Sequence, residues 1–291
     1  MSSICVSCMK KMFNLLVYFI MYFKERLTKG KMHSFEGKGG KILIVGNGPS
    51  AGNLDYDYYK NNGYEIMCVN NFAVNMDLMK RIKPRFYCYI DDVMYIKENL
   101  KTNKELIRLC NSLNEVDWEM EFVCRYGQIP PIKNPYIRIA HVNNCVLKES
   151  FKSIQFSRYE VNKACPGFQN VICCCLYFAI SSNFSDILLT GVEFDMHKEL
   201  NVAVNNDVIR EYTHFYGVNS VNITQAGQIR KGEIYKYFYF SYLTLLQYKI
   251  LYDYSLYKGV NVKNLTVNST IDSIPKSVPI ENCNDNVYTI E

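Results

Sequence analysis

The chain has 291 residues, of which 48% are hydrophobic and 21% charged, a composition typical of a soluble globular protein and not of a disordered one. Of its 33 basic and 28 acidic residues, six basic and one acidic precede His33, so the formal charge of +5 belongs to that segment and the rest is neutral. A neutral body argues against a nucleic-acid-binding face, which needs clustered basic residues.

Twelve cysteines predict neither a disulfide framework nor a zinc site. Cys173, Cys174 and Cys175 are consecutive in an apolar run, where a thiol packs as a small hydrophobic group. Cys5 and Cys8 form a CxxC, but no second pair at zinc-ligand spacing follows. We therefore expect a reduced, cytoplasmic protein.

The N-terminal segment contains an apolar stretch at residues 12–23 with basic flanks. It is shorter than the roughly 20 residues of a transmembrane helix and lacks the small-residue cleavage site of a signal peptide. We expect an amphipathic helix that attaches peripherally to the inner leaflet of the cytoplasmic membrane. The alternative is a helix that packs on the domain or joins copies of the chain in a homo-oligomer.

The rest of the chain alternates between short apolar runs and helical stretches. The pattern predicts strands at residues 41–45, 65–69, 86–90, 121–124 and 186–190, an edge strand at 260–262, and helices at 105–113, 167–181 and 234–257. This rhythm favours a single Rossmann-like, doubly wound α/β domain. We expect an N-terminal helix and basic flank at residues 1–33, a linker at 34–40, the domain at 41–275 and a tail at 276–291.

Polar or glycine-rich residues follow four of the predicted strands. They are residues 46–50 (GNGPS), Asn70-Asn71, Asp91-Asp92 and residues 191–195 (GVEFD). Ligands of open α/β sheets bind beyond the carboxyl ends of the strands, and the backbone N–H groups of GNGPS would suit a phosphate. The turn lacks the third glycine of the dinucleotide fingerprint. These features predict a nucleotide or nucleotide-sugar site, in which Asp91-Asp92 either holds Mg²⁺ or Mn²⁺ or caps a helix.

Residues 196–231 are polar and irregular, and are long enough for a lid over the site. His197 and His214 bracket this segment, and histidine titrates near neutral pH. Asp195 and His197 share one side if their segment is extended. Each of them is a candidate base or phosphate contact.

Several motifs resemble landmarks of the CMP-sialic-acid-dependent sialyltransferases of bacterial glycosyltransferase family 42. GNGPS, Asn70-Asn71-Phe72 and Gly191-Val192-Glu193-Phe194 match them in order and spacing. Further similar motifs are Cys165-Pro166-Gly167-Phe168, His214-Phe215-Tyr216-Gly217 and Asn268-Ser269. The resemblance covers roughly residues 41 to 275.

This resemblance implies a glycosyltransferase-A-like variant of the Rossmann fold, an inverting transfer from a CMP-activated sugar, and no metal or other cofactor. The acceptor would be a capsule or lipooligosaccharide glycan. Asp91 would take the position of a donor-binding asparagine, and Gly167, Asn268 and Ser269 would hold the cytidine end. The remaining donor-binding positions would be Asn47, Gly48, Pro49, Ser50 and Asn70.

The chain differs from this family at the position of the catalytic base. The family's base falls at Val218, and only the preceding histidine of the motif is kept, as His214. His214 is therefore the first candidate base, with Asp195 and His197 as alternatives. Asp195 stands where the family has a tyrosine, and Pro166 where it has a serine. The donor sugar would be sialic acid, another nonulosonate or Kdo, and a related group of capsule-type transferases is closer in these details.

Two other functions remain open at this point. A pterin pyrophosphokinase-like enzyme shares the opening turn and would need Mg²⁺ on Asp91-Asp92 with ATP. A nucleotide- or glycan-binding module without catalysis would explain the missing second histidine.

Overall fold

The computed structural model describes residues 3–29, 35, 37–195, 197–214 and 217–281. Its main sheet is formed by β1 (Lys41–Val45), β2 (Tyr64–Val69), β3 (Phe86–Cys88), β4 (Met120–Arg125), β5 (Ile137–Val142), β6 (Asp186–Thr190) and β10 (Asn261–Asn264). These seven strands lie in the order β10-β6-β1-β2-β3-β4-β5, and all neighbouring pairs are parallel.

The helices are α1 (Ser3–Lys29), α2 (Tyr56–Asn61), α3 (Met76–Ile82), α4 (Asn99–Thr102), α5 (Lys104–Asn114), α6 (Lys152–Glu160), α7 (Val171–Ser181) and α8 (Ile234–Lys258). Both faces of the sheet are covered, as the alternation along β1 illustrates. Ile42 and Ile44 pack with residues of α7 and α8, whereas Leu43 and Val45 pack with residues of α2, α3 and α5. The predicted doubly wound α/β fold is confirmed.

The order of the strands reverses at β1. From β1 the chain adds β2 to β5 on one side, and it then returns to place β6 and β10 on the other side. The carboxyl ends of β1 and β6 therefore flank the topological switch point, which is where open α/β sheets bind ligands.

Helix α7 is buried over its whole length, from Val171 to Ser181. It begins four residues later than predicted, because the Asn170 side chain caps it by accepting the backbone N–H of Cys173 at 2.9 Å. The cysteines behave as small hydrophobic groups, as expected. Burial raises the pKa of the Cys173 and Cys174 thiols, which keeps them uncharged at neutral pH.

The predicted lid is not irregular, and in this respect the sequence-based expectation is wrong. It contains a three-stranded antiparallel sheet of β7 (Leu200–Val202), β8 (Val208–His214) and β9 (Gly217–Asn222). Its small apolar cluster contains Val208, Ile223, Ile229 and Tyr237, separate from the two main clusters. With so few apolar residues the strands carry little hydrophobic periodicity, which is the main sequence signal for a strand.

Strand β5 and helix α6 were not predicted. β5 lies at the edge of the sheet, and only Val142 of its six residues is fully buried. A half-exposed edge strand has no strict apolar alternation, so its sequence resembles a loop.

Helix α1 is longer than the predicted apolar stretch. By length and composition alone, Cys5–Leu27 is sufficient to cross a bilayer. One face packs on the domain, since Tyr18 is 1% exposed and donates to the Lys163 carbonyl at 3.0 Å, and Asn14 donates to the Glu149 carbonyl at 2.8 Å. Away from this face the helix exposes large apolar side chains, among them Met9, Met12, Phe13, Leu16, Ile20, Phe23 and Leu27.

Candidate functional site

The turns after β1 and β6 contact each other at glycine residues. Gly46 donates its N–H to the Thr190 carbonyl at 2.8 Å, and Gly48 donates to the Gly191 carbonyl at 2.9 Å. Gly191 has a φ of +67°, and a β-carbon there would lie 2.6 Å from the Gly46 carbonyl oxygen. Only glycine on both sides allows this approach. The two strand ends are thereby held together at the switch point.

Hydrogen bonds from side chains reinforce the junction. Glu193 accepts the N–H of Ser50 at 2.8 Å, and the Ser50 hydroxyl accepts the N–H of Gly191 at 3.1 Å. The Thr266 hydroxyl lies 3.3 Å from that of Ser50 and accepts the N–H of Val192 at 3.1 Å. We expected the GNGPS turn to offer backbone N–H groups to a phosphate, but those of Gly48 and Ser50 donate within the protein.

A cavity of about 660 Å³ opens beside this junction. That volume lies within the usual 300–1,000 Å³ of small-molecule sites. Its wall combines the ends of β1, β2 and β6, the N-terminus of α7, part of β8 and one side of α8. Of the residues predicted to bind or react, it includes Asn47, Gly48, Pro49, Asn70 and Asp195.

Two residues of the cavity wall have unusual backbone conformations. Asn70 and Phe194 both have a φ of +50°, a region that asparagine tolerates and that is rare for a bulky side chain. Tyr87 donates its hydroxyl to the Asn70 carbonyl, and the Thr270 hydroxyl donates to the Phe194 carbonyl. Such left-handed residues concentrate at functional sites, where the surrounding structure holds them in place.

The N-terminus of α7 faces the same cavity through Asn170, Val171 and Ile172. The first N–H groups of a helix have no partner within it and attract anions. Lys198 and Arg210 add positive charge to the wall. The Arg210 guanidinium donates to Glu199 at 2.6 Å and lies 4.4 Å from the centre of the Tyr212 ring. The N-terminus of α7, Lys198 and Arg210 are the groups of the cavity wall that can attract a phosphate.

Four carboxylates also line the wall, at Glu193, Asp195, Glu199 and Glu211. A carboxylate accepts hydrogen bonds, and so suits the hydroxyl groups of a sugar. In the described part of the chain, no group of three or more His, Cys, Asp or Glu residues has the arrangement of a metal site.

Several predicted residues do not line this cavity. Gly167 lies in a neighbouring cavity, together with Asp92. His197 is exposed. The Ser269 hydroxyl accepts the N–H of Ile271 within its own turn, and its neighbour Asn268 is exposed. The other predicted residues absent from the cavity wall are Ser50 and Asp91.

Asp91 and His214 are two further residues that were predicted to belong to the site. Asp91 is exposed and caps a short 3-10 helix by accepting the N–H of Val93, which is the capping alternative stated above. His214 ends β8, where its backbone pairs with Gly217. Its side chain lies outside the described residues, so its role stays a prediction.

The sequence reasoning missed several residues of the cavity wall. Gln169 and Asn170 precede α7, Arg210 and Tyr212 belong to β8, and Thr244 lies in the middle of α8. Asn170 carried a usable signal, because an asparagine before an apolar run is a common helix N-cap. The others come from elements whose place beside the sheet depends on tertiary packing.

Comparison with known proteins gave the following results. No protein-family model matches the chain, and no curated protein matches it. Solved sialyltransferase structures are similar to it. CstII from Campylobacter jejuni, in complex with cytidine-5'-monophosphate, is 16% identical with a TM-score of 0.42, over 86% of this chain and 91% of that one. The monofunctional alpha-2,3-sialyltransferase Cst-I from Campylobacter jejuni is 14% identical with a TM-score of 0.40, over 87% of this chain and 86% of that one.

Proposed function

We propose that the protein is an inverting glycosyltransferase, which moves sialic acid, another nonulosonate or Kdo from a CMP-activated donor to a surface glycan. One observation carries the proposal. Asn47, Asn70 and Asp195 are far apart in sequence, each belongs to or adjoins a motif of the resemblance, and all three line one cavity at the switch point of the sheet.

The donor's phosphate binds at the N-terminus of α7, and Lys198 and Arg210 supply positive charge to the wall of the same cavity. This part of the wall replaces the GNGPS turn as the phosphate site, because the N–H groups of Gly48 and Ser50 have partners within the protein. Asn47, Asn70 and Asp195 bind the sugar and ribose hydroxyls. Cationic groups and helix N–H groups also stabilise the charge that develops on a departing CMP phosphate, so the reaction needs no metal.

An inverting transfer needs a base that takes the proton of the acceptor hydroxyl as the donor bond breaks. We assign this step to His214, because an imidazole titrates near neutrality and can accept a proton there. A carboxylate is in general a weaker base than an imidazole. Asp195 therefore orients hydroxyl groups, and the exposed His197 takes no part in the chemistry.

The pyrophosphokinase alternative is less well supported. It requires a metal on Asp91 and Asp92, but neither residue lines the cavity at the switch point. The carboxylate of Asp92 accepts a hydrogen bond from Gln128 at 2.9 Å, and Asp91 caps the following helical turn.

A thermal-shift screen with CMP, UDP, GDP and ATP tests the proposal, since a ligand that binds only the folded state raises its stability by mass action. CMP should stabilise the protein most, and EDTA should not change the shift. Strict dependence on Mg²⁺ with a preference for ATP would contradict the proposal in favour of the pyrophosphokinase.

We further propose that the outer face of α1 attaches the enzyme to the inner leaflet of the cytoplasmic membrane. The exposed fractions of Phe13, Leu16 and Ile20 are 64%, 59% and 62%, and basic residues flank the apolar stretch on both sides. Exposed apolar area with flanking positive charge favours the surface of an anionic bilayer.

Replacing Phe13, Leu16 and Ile20 together by serine should therefore weaken binding to anionic liposomes about tenfold or more, since three exposed apolar side chains are lost. The CMP-induced thermal shift should stay unchanged. The matched control is Tyr18→Ala on the inner face, which should lower the free energy of unfolding by about 3 kcal/mol. If the triple variant binds liposomes like the wild type but loses self-association, the face is an interface between copies of the chain.

A further inference from the structure

The N-terminal half of α8 carries a stripe of exposed aromatic residues. They are spaced three or four residues apart, so they lie on one side of the helix. Each of them is between 48% and 62% exposed. The aromatic stripe consists of Tyr235, Phe238, Tyr239 and Tyr242. Contiguous exposed apolar surface of this kind commonly marks an interaction site.

The aromatic stripe and the cavity at the switch point lie on opposite sides of α8. Thr244 is buried and lines that cavity. It follows Tyr242 by two residues, which is about 200° around a helix with 3.6 residues per turn. One side of α8 therefore forms part of the cavity wall, and the other side presents the aromatic stripe to the surroundings of the protein.

The composition of the aromatic stripe suits the surface of a lipid bilayer. Three of its four residues are tyrosines, which are enriched where a membrane meets water, because the ring is apolar while the hydroxyl stays hydrated. No Asp or Glu occurs between residues 234 and 252 of α8. The stripe therefore lacks the carboxylates that an anionic bilayer would repel.

The aromatic stripe adjoins helix α1. Lys10 of α1 forms an ion pair with Glu149. The hydrogen bond to Glu149 and its charge raise the pKa of Lys10, and Tyr242 adds to this shift, which requires Tyr242 to lie near Lys10. Three residues after Glu149, Lys152 pairs with Asp253 of α8 at 3.1 Å. The segment at residues 149–152 thus contacts both helices, and the two exposed apolar surfaces are neighbours.

From this arrangement we propose that the aromatic stripe is a second membrane-contact surface, which lies on an anionic bilayer together with the outer face of α1. The inference rests on the proposed membrane attachment and not on the proposed chemistry. Two separate contacts prevent the domain from rotating about α1, so they fix its orientation. The part of the cavity wall that Thr244 forms is then about one helix diameter, roughly 10–12 Å, from the bilayer surface. An acceptor held at the bilayer would reach the cavity without leaving that surface.

The test places a tryptophan in the aromatic stripe, as Tyr239→Trp, and measures its fluorescence on phosphatidylcholine–phosphatidylserine vesicles with brominated acyl chains. The added emission should be quenched. The wild type is the background, because its single tryptophan, Trp118, packs on the opposite face of the sheet and donates to the Pro84 carbonyl at 2.9 Å. Tyr58→Trp is the matched control, since Tyr58 is an exposed tyrosine of α2, which covers that same opposite face. It should not be quenched.

Replacing Tyr235, Tyr239 and Tyr242 together by serine should weaken vesicle binding about tenfold or more, although α1 is intact. Tyr58→Ser should bind vesicles like the wild type. Three results would overturn the proposal: no vesicle binding by the wild type, binding of Tyr239→Trp without quenching, or self-association without lipid that the triple variant loses, which would make the stripe an interface between copies of the chain. The CMP-induced thermal shift is measured separately, so its absence would count against the proposed function only.

Discussion

Gly46→Ala should lower the free energy of unfolding by more than about 3 kcal/mol, an effect reserved for steric conflicts in a packed interior. A β-carbon at Gly46 would overlap the carbonyl oxygen of Gly191 and lie 3.0 Å from its carbonyl carbon. Both are backbone atoms in a junction that hydrogen bonds hold on both sides, so neither can swing away as a flexible side chain would.

Gly37→Ala is the control for this experiment. A β-carbon at Gly37 would meet only the Asn183 side chain at 3.4 Å, an ordinary contact, and the change should stay within about 0.5 kcal/mol. Urea unfolding measures both variants. If Gly46→Ala unfolds at the same urea concentration as Gly37→Ala, the two turns do not form the close junction described above.

His214→Ala should lower kcat by a factor of about 100 or more, because general-base catalysis contributes roughly 10²–10⁴ to a rate. The CMP-induced thermal shift should be nearly unchanged, since the base acts on the acceptor hydroxyl and not on the nucleotide. Steady-state kinetics with saturating donor separates these two effects.

His197→Ala is the matched control, because it removes the same side chain from an exposed position outside the cavity wall. It should keep most of the wild-type kcat. Asp195→Asn should mainly raise the KM for the substrates, as expected for a residue that orients hydroxyl groups. If His214→Ala turns over at nearly the normal rate and Asp195→Asn or His197→Ala loses turnover, the catalytic base belongs to the segment that follows β6.

Among the strands, those whose bounds could be predicted from the sequence are the ones that the core buries almost completely. β1 and β6 match their predicted bounds, because every residue after the first in each is buried, in runs of apolar residues. The polar strands β7 to β9 and the edge strand β5 were missed, because their apolar periodicity is weak.

The residues of the cavity also divide into those that the sequence could place and those that it could not. Asn47 and Asn70 could be placed from the sequence, since strand ends of a parallel sheet meet at one edge. Ser50 was predicted to bind the donor, but its hydroxyl and its N–H form hydrogen bonds within the junction of the two turns. Arg210 and Gln169 could not be found by the same logic, since β8, which carries Arg210, and the segment before α7, which carries Gln169, reach the cavity only through tertiary packing.

The central claim is tested most directly by incubating the full chain with CMP-N-acetylneuraminic acid and with CMP-Kdo in the presence of EDTA. The proposed function predicts that at least one of them is consumed with release of CMP, and that His214→Ala slows this release while His197→Ala does not. If neither CMP-sugar is consumed although CMP stabilises the protein, the chain is a binding module without catalysis. If CMP has no effect and ATP is turned over only with Mg²⁺, the glycosyltransferase assignment is wrong.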